Sequence, residues 1–219
     1  MGYRGYKAAR WAFRASRSRR AANCVRNSFT LDTGILMSDG SYKPIGQVEI
    51  GDEVIAADPK TGERRSETVL DVITGNGDKH LVGVRVDMNG DGLSDEVVAT
   101  DRHPFYVLGK GWTDAIALRQ GDLLATSTGT GVVTSTRAWH EDTTVRNLTV
   151  SRLHTYHVGV DAGAALVHNC INGWTKHGRE QAQRRVFRKT WRDRRSGTEK
   201  RARAEEARRV TREETSGWC

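Results

Sequence analysis

The chain has 219 residues and a net charge of +8, and 28% of its residues are charged against 37% hydrophobic. This length suffices for one well-cored domain with extensions. No apolar run approaches the roughly 18 residues of a membrane helix, and no apolar signal segment follows the basic N-terminus. Three cysteines without a C-x-x-C pair indicate neither a zinc site nor a disulfide framework. We therefore expect no membrane span, no cofactor and no structural metal.

The positive charge is confined to the two ends of the chain. Residues 1–27 carry eight Arg or Lys and no acid, residues 171–219 carry fifteen against seven acids, and residues 28–170 carry twelve against twenty. The three net charges are therefore +8, +8 and −8. This partition predicts a basic N-terminal arm, a folded domain over 28–170 and an Arg/Glu-rich tail, with both arms helical or disordered. Nucleic-acid binding through the arms is an alternative function.

Short β-branched runs separated by Gly and Asp turns begin at Ser28. The first run ends at the turn signal Asp39-Gly40, and the second, 48–56, ends at a turn over 58–62. Further runs occupy 69–74, 81–86, 96–100, 104–108, 123–126, 131–137, 143–150, 155–160 and 164–167. Short strands at near-regular spacing predict an all-β domain.

A short internal repeat indicates two similar halves. The pattern Val48-x-x-Gly51-Asp52-x-Val54 returns 70 residues later as Leu118-x-x-Gly121-Asp122-x-Leu124. Each copy places a Gly-Asp turn before an apolar strand, which predicts a pseudo-two-fold fold.

The loop between two of these strands has oxygen ligands at alternate positions, as calcium loops do. The candidate ligands are Asp87, Asn89, Asp91 and Asp95. An EF-hand needs a glutamate at its twelfth position, which is Val98 here. A polar hairpin loop is the simpler interpretation, and we keep the four residues only as weak calcium candidates.

The triplet His168-Asn169-Cys170 closes the acidic segment and carries a specific chemistry. The Asn169 amide nitrogen can attack its own carbonyl carbon, closing a succinimide and expelling the Cys170 amine. Because an amide is a poor electrophile and an amine a poor leaving group, the step needs a histidine that polarises the carbonyl or protonates the amine. His168 is placed for that role, although the triplet alone is a weak signal.

Three further segments align with this triplet. Ser28 opens the β region with a hydroxyl, Thr100-x-x-His103 follows, and Asn147-Leu148-Thr149-Val150 precedes His154. In order and spacing these segments resemble the splicing blocks of the Hint superfamily, which includes inteins, hedgehog autoprocessing domains and pretoxin-type Hint domains of bacterial polymorphic toxins. The phrases NSFTLDT, TDRHPFYV and NLTVSRLHTYHVG are most similar to the pretoxin-type branch.

The resemblance implies chemistry at the start of the domain. Ser28 would attack the Asn27 carbonyl in an N-to-O acyl shift that gives an ester. Thr100 and His103 would contact that scissile amide, and His103 would protonate the departing nitrogen. Many Hint domains have a more easily ionised cysteine in place of Ser28, so we expect this end to react more slowly.

At the other end, the resemblance implies that His154 assists His168 in activating Asn169. Cys170 would accept the acyl group in splicing or begin the released product. Asn147 stands where many inteins have an acid and cannot shuttle a proton, so we expect weaker coupling between the two ends.

The resemblance therefore implies a single-turnover, self-cleaving domain that acts on its own polypeptide. By analogy with the pretoxin branch it would release a C-terminal toxin segment from a larger secreted bacterial protein, and an immunity protein would be a partner of that toxin. Residues 171–219 would then be a truncated toxin start. The alternatives are an inactive Hint-fold spacer, a basic nucleic-acid-binding protein, and a serine hydrolase using Ser28 and His103. The last lacks a Gly-x-Ser-x-Gly elbow.

Overall fold

A computed structural model describes residues 27–88, 90–160 and 163–169. The chain divides into two units, Met1–Thr175 and Lys176–Cys219, and all described residues belong to the first. The predicted basic arm, the tail and Cys170 lie outside the described residues, apart from Asn27 at the end of the arm. Within the described residues, no helix has the length and hydropathy that crossing a membrane requires.

The predicted all-β architecture is confirmed, because the described residues form strands joined by turns and two single-turn 3-10 helices, Ile45–Gln47 and Ala115–Ala117. The strands are β1 (Phe29–Thr30), β2 (Gly34–Leu36), β3 (Tyr42–Pro44), β4 (Glu53–Ala57), β5 (Arg64–Gly75), β6 (Asp78–Asp87), β7 (Asp95–Thr100), β8 (Pro104–Val107), β9 (Gly111–Asp114), β10 (Leu123–Ala125), β11 (Thr130–Asp142), β12 (Val145–Val150), β13 (Thr155–Val160) and β14 (Gly163–His168).

The strands pair antiparallel in the order β3-β2-β13-β14-β8-β10-β11-β6-β7-β1-β12-β5-β4, with β9 against β8. Alternating apolar side chains from these strands form one core, which includes Phe29, Phe105, Leu148 and Tyr156, each fully buried. The last strand, β14, is buried along Gly163–Val167 and lies between β13 and β8. The end of the domain is therefore held inside the sheet.

The predicted two halves are visible at the repeated turns. Gly51 and Gly121 have positive φ angles of 97° and 89°, which glycine adopts without steric cost. The Asp52 carboxylate lies 2.8 Å from Lys43 Nζ, and the Asp122 carboxylate lies 2.5 Å from Lys110 Nζ. Each carboxylate also accepts a backbone N–H three residues earlier, so the two turns are built alike.

The repeat extends to the turns that follow β1 and β7. Thr33 N donates to Thr30 O at 3.2 Å, and 70 residues later His103 N donates to Thr100 O at 3.0 Å. Phe29 pairs directly with its repeat counterpart, Ala99. His103 therefore occupies, in the second half, the turn position that Thr33 has in the first.

The halves exchange strands. β12 of the second half pairs with β1 and β5 of the first, while β6 of the first half pairs with β7 and β11 of the second. β1 consequently lies between β7 and β12, and residues from both strands reach the peptide bond that precedes it.

The candidate calcium loop is held by its own carboxylates. Asp87 accepts the backbone N–H groups of Gly90 (2.7 Å) and Gly92 (3.0 Å), and Asp91 accepts that of Leu93 (2.7 Å). Over residues 27–88, 90–160 and 163–169, no group of three or more His, Cys, Asp or Glu could hold a metal ion. Asn89 is outside the described residues, and calcium binding stays a prediction.

Candidate active site

Ser28 and Thr100 are hydrogen-bonded to each other through backbone and side chain. Ser28 N donates to Thr100 Oγ1 at 2.8 Å, and Thr100 N donates to Ser28 O at 2.9 Å. Both residues are buried, because β1 and β7 run side by side in the sheet. The nitrogen of the Asn27–Ser28 peptide is thus bound by the threonine that the sequence predicted to contact it.

His103 lies beside the same peptide. Its ring is fully buried and packs on Phe29, with 4.0 Å between the ring centroids. Burial lowers the pKa of His103 to about 3, opposed by the Asn27 backbone and reinforced by the charge of His168. Neither ring nitrogen reaches hydrogen-bond geometry with a described group. His103 is therefore a neutral imidazole at pH 7 whose ring lies near the Asn27 backbone.

Asn147, which the sequence analysis expected only to weaken the coupling between the two ends, contacts the peptide before Ser28. Its Nδ2 donates to Asn27 O, the carbonyl that Ser28 would attack. Its Oδ1 accepts Leu148 N at 2.7 Å and the Tyr156 hydroxyl at 2.8 Å. These two donors fix the amide orientation, so that the amide NH₂ points at the carbonyl. The signal in the sequence was its place at the start of the Asn147-Leu148-Thr149-Val150 segment; its pairing partner β1 is visible only in the structure.

Asn169 is buried directly after β14, and its two nitrogens donate to the last residue of β12 and to the turn that follows that strand. Asn169 N donates to His154 O at 2.9 Å, and Asn169 Nδ2 donates to Val150 O at 3.1 Å. Its Oδ1 has no hydrogen-bond partner among the described residues. The side-chain amide that would act as nucleophile is therefore oriented through its nitrogen.

His168 contacts the carbonyl of the second scissile peptide. Its Nδ1 lies 2.6 Å from Asn169 O, and its ring meets the edge of Trp112 at a centroid distance of 5.0 Å. Burial lowers the pKa of His168, the Asn169 carbonyl opposes that shift, and His154 adds to it. In its neutral Nδ1–H tautomer, His168 donates a hydrogen bond to the carbonyl that cyclisation must polarise.

His154 occupies a different place. Its Nδ1 lies 3.2 Å from Val150 O, the same oxygen that accepts Asn169 Nδ2. The two histidines thus have different contacts: His168 contacts the Asn169 carbonyl, and His154 contacts the oxygen that accepts the Asn169 side-chain amide. Val167, next to His168, pairs with Phe105, whose ring centroid lies 6.0 Å from that of His103, so the described parts of both sites are neighbours. Cys170 is outside the described residues.

Comparison with solved structures gives the class of the domain. The solution structure of a bacterial intein-like domain from Clostridium thermocellum has 33% sequence identity and a TM-score of 0.58, over 65% of this chain and 99% of that one. A DnaB intein from Synechocystis sp. PCC 6803 shares the fold at 21% identity, with a TM-score of 0.54 over 66% of this chain and 99% of that one. A search of the curated proteins returned no match. The protein therefore contains an intein-like, or Hint, domain.

The family can be stated more narrowly. The family model described as the pretoxin HINT domain matches residues 35–170, which is more than half of the chain. The chain belongs to the pretoxin HINT family, a branch of the autoprocessing and splicing domains. The predicted resemblance is confirmed, while the individual roles of the site residues stay predictions.

Proposed function

We propose that the domain cleaves its own chain between Asn169 and Cys170 by asparagine cyclisation. The contact that carries this proposal is the 2.6 Å distance between His168 Nδ1 and Asn169 O, at the carbonyl that must become electrophilic. The family supports the reaction class, and the contacts of Asn169 support the proposed roles.

In the proposed reaction, Asn169 Nδ2 attacks the backbone carbonyl carbon of the same residue. His168 donates to the carbonyl oxygen and stabilises the negative charge that develops on it. The bond to the Cys170 nitrogen breaks, and that nitrogen gains the proton that Nδ2 loses. The products are a chain ending in a succinimide and a fragment beginning with a free Cys170 amine. Atoms balance without water, which enters only when the succinimide later hydrolyses.

At the other end, we propose an N-to-O acyl shift at Asn27–Ser28. Ser28 Oγ attacks the Asn27 carbonyl carbon, Asn147 Nδ2 donates to the oxygen, and the bond to Ser28 N breaks. The proton lost by the hydroxyl ends on the freed Ser28 amine, with His103 as the group that transfers it. Thr100 holds the same nitrogen at 2.8 Å. This proposal revises the expected role of Asn147. Although Asn147 cannot transfer a proton, it can assist the acyl shift by donating a hydrogen bond.

The test is intact mass spectrometry of the full chain and of the variants Asn169→Ala and Ser28→Ala. We expect a fragment 1–169 that is initially lighter by one water than its hydrolysed form, together with a fragment 170–219. Both should be absent from Asn169→Ala and present in Ser28→Ala. A fragment 1–169 that never passes through the dehydrated form would indicate hydrolysis by another route. Full-length mass in every folded sample would identify an inactive Hint spacer.

The ester is tested separately in the Asn169→Ala chain, which keeps the C-terminal bond intact. Hydroxylamine attacks an ester, leaving a hydroxamate on Asn27 and a free Ser28. We expect a fragment 1–27 on hydroxylamine treatment that is lost when Ser28→Ala is added. A 1–27 piece ligated to 170–219 in the parent chain would show complete splicing.

We further propose that cleavage frees the segment after Asn169 as an effector of a larger secreted protein. The pretoxin family is the support for this step. An immunity protein as partner, and nucleic-acid binding by the basic arms, concern residues outside those described and stay predictions. Salt-dependent binding of the full chain to DNA, with a slope set by several phosphate contacts, would test the second.

A further inference from the structure

The turn between β12 and β13 has an unfavourable backbone conformation. Arg152 has a φ of 44° and His154 a φ of 57°, and within the described residues they are the non-glycine residues with positive φ. Residues other than glycine rarely adopt this left-handed backbone conformation, and they keep it only where the surrounding contacts enforce it. Some contact must therefore hold Ser151–His154 in this form.

Glu67 on β5 supplies that contact. Its side chain is completely buried, and it accepts the Ser151 hydroxyl as a hydrogen bond. Arg152 Nε lies 3.0 Å and 3.1 Å from its two carboxylate oxygens, and Arg65 Nε lies 3.0 Å from one of them. Thr68 completes the attachment, because its backbone N donates to Ser151 Oγ at 3.1 Å. A buried carboxylate needs such partners, and two of them belong to the turn.

The opposite side of the same turn binds Asn169. Val150 O accepts the Asn169 side-chain amide, and His154 O accepts its backbone N–H. Both nitrogens of Asn169 thus donate to carbonyls at the two ends of this turn, Val150 before it and His154 at its close. Glu67 itself belongs to none of the sequence blocks that align with the reaction.

We propose that Glu67 is a positioning residue for cleavage at Asn169, acting by holding the left-handed turn that aims the Asn169 amide. The inference rests on the proposed function at that bond. It predicts an effect on the C-terminal reaction that the acyl shift at Ser28 does not share, because the Asn27–Ser28 peptide is bound by Thr100 of β7 and by Asn147 instead.

The first experiment measures both reactions in Glu67→Gln. Glutamine keeps the volume and an acceptor for Ser151 but removes the charge that binds Arg152. Because small displacements of reacting groups are costly, we expect cleavage at Asn169 to slow by about tenfold or more. The hydroxylamine-sensitive ester, read in an Asn169→Ala background, should change by less than about twofold. The matched control is Glu63→Gln, since Glu63 lies 3.5 Å from Arg65 and is exposed; we expect it to leave both reactions unchanged.

The second experiment uses two substitutions at the exposed residue Arg152, which avoids any loss of folding from a change in the core. Arg152→Ala removes the contact with Glu67 but keeps the backbone strain, because alanine still has a Cβ atom. It should therefore slow cleavage. Arg152→Gly removes the contact and the strain together, because glycine adopts φ near 44° freely. We therefore expect Arg152→Gly to cleave faster than Arg152→Ala, and Glu67→Gln to have a smaller effect in the glycine background.

A third readout does not depend on cleavage. In the Asn169→Ala chain, the N–H of residue 169 should exchange with deuterium faster when Glu67→Gln is added, relative to that of Val167 in the same strand. The proposal is overturned if Glu67→Gln slows both reactions in proportion to a loss of thermal stability, or slows neither. If the parent chain does not cleave at Asn169, the proposed function has failed. If the parent and the Glu67→Gln variant cleave equally fast, the proposed function stands and only the role of Glu67 has failed.

Discussion

At the scale of single residues, the N-terminal site is defined by the difference between an amide and a carboxylate. An ionised aspartate at position 147 would present only acceptor oxygens to the Asn27 carbonyl, whereas the Asn147 amide presents a donor. The Tyr156 hydroxyl and Leu148 N bind the other end of that amide and prevent it from flipping. Burial raises the pKa of Tyr156, so this hydroxyl stays a donor throughout the neutral range.

We therefore predict that Asn147→Asp and Asn147→Ala both reduce formation of the Ser28 ester, because each removes the donor to the developing oxyanion. Loss of one such donor costs on the order of 10²–10³ in rate. The measurement is the yield of hydroxylamine-released 1–27 over time in the Asn169→Ala chain. Tyr156→Phe should give a smaller loss by releasing the amide orientation. An Asn147→Asp chain that forms the ester at the parent rate would contradict the assignment.

At the scale of elements, the two Gly-Asp turns show how a repeat is built from the same hydrogen bonds in different surroundings. Gly51 N donates to Val69 O at 2.9 Å, and Gly121 N donates to Val133 O at 2.8 Å. Asp122 is 7% exposed, whereas the Asp52 side chain is 24% exposed. Water therefore replaces lost contacts more easily at Asp52.

From this difference we predict that Asp122→Ala destabilises the domain more than Asp52→Ala. Removing Asp122 takes a buried carboxylate away from the Arg119 N–H and the Lys110 ammonium, a loss that costs about 1–3 kcal/mol. The same change at Asp52 should cost less, because Glu49 N can reach water. Urea denaturation of both variants, in a chain also carrying Ser28→Ala and Asn169→Ala, compares the two free energies of unfolding. Equal losses would show that burial does not distinguish the turns.

The elements also show what could be predicted from the sequence. The strands, the repeat and the segments carrying Ser28, Thr100 and Asn169 follow from local patterns, because alternation and turn chemistry act over a few residues. The contacts of Asn147 with Asn27 and of Glu67 with Arg152 depend on register between strands far apart in the chain. No local periodicity specifies which side chains such pairing brings together, so the contact of Asn147 with the Asn27 carbonyl and the support of the turn by Glu67 were not predicted.

At the scale of the whole molecule, two buried histidines couple folding to pH. Burial lowers the pKa of His103 to about 3 and that of His157 to about 4, the latter opposed by the hydrogen-bond acceptor Ile55 O. Both values lie below the ordinary histidine value of 6.5. In this pH range the two histidines are protonated in the unfolded chain and neutral in the folded chain. The free energy of unfolding therefore falls as the pH drops from about 6.5 toward the folded pKa values.

We predict a loss of about 2 kcal/mol in the free energy of unfolding for each of these histidines between pH 7 and pH 5. His157→Asn keeps an N–H donor for Ile55 O but has no titrating ring. It should therefore remove the part of the pH-dependent loss of stability that comes from His157. The measurement is urea denaturation at both pH values in the chain that cannot react at Ser28 or Asn169. A pH dependence identical to that of the parent would contradict the buried neutral state of His157.

Because the halves exchange strands, the contacts of the two sites can form only late in synthesis of the chain. Ser28 and β1 are synthesised first, yet the groups that surround the Asn27–Ser28 peptide arrive with β7 and, later, with β12. β14, which carries Asn169, comes last and inserts between two strands already made. A nascent chain thus holds Ser28 without its partners for most of its translation. If the proposed cleavage occurs, we expect a chain stalled before β14 to stay uncut, because the contacts of Asn169 form only when the fold is complete.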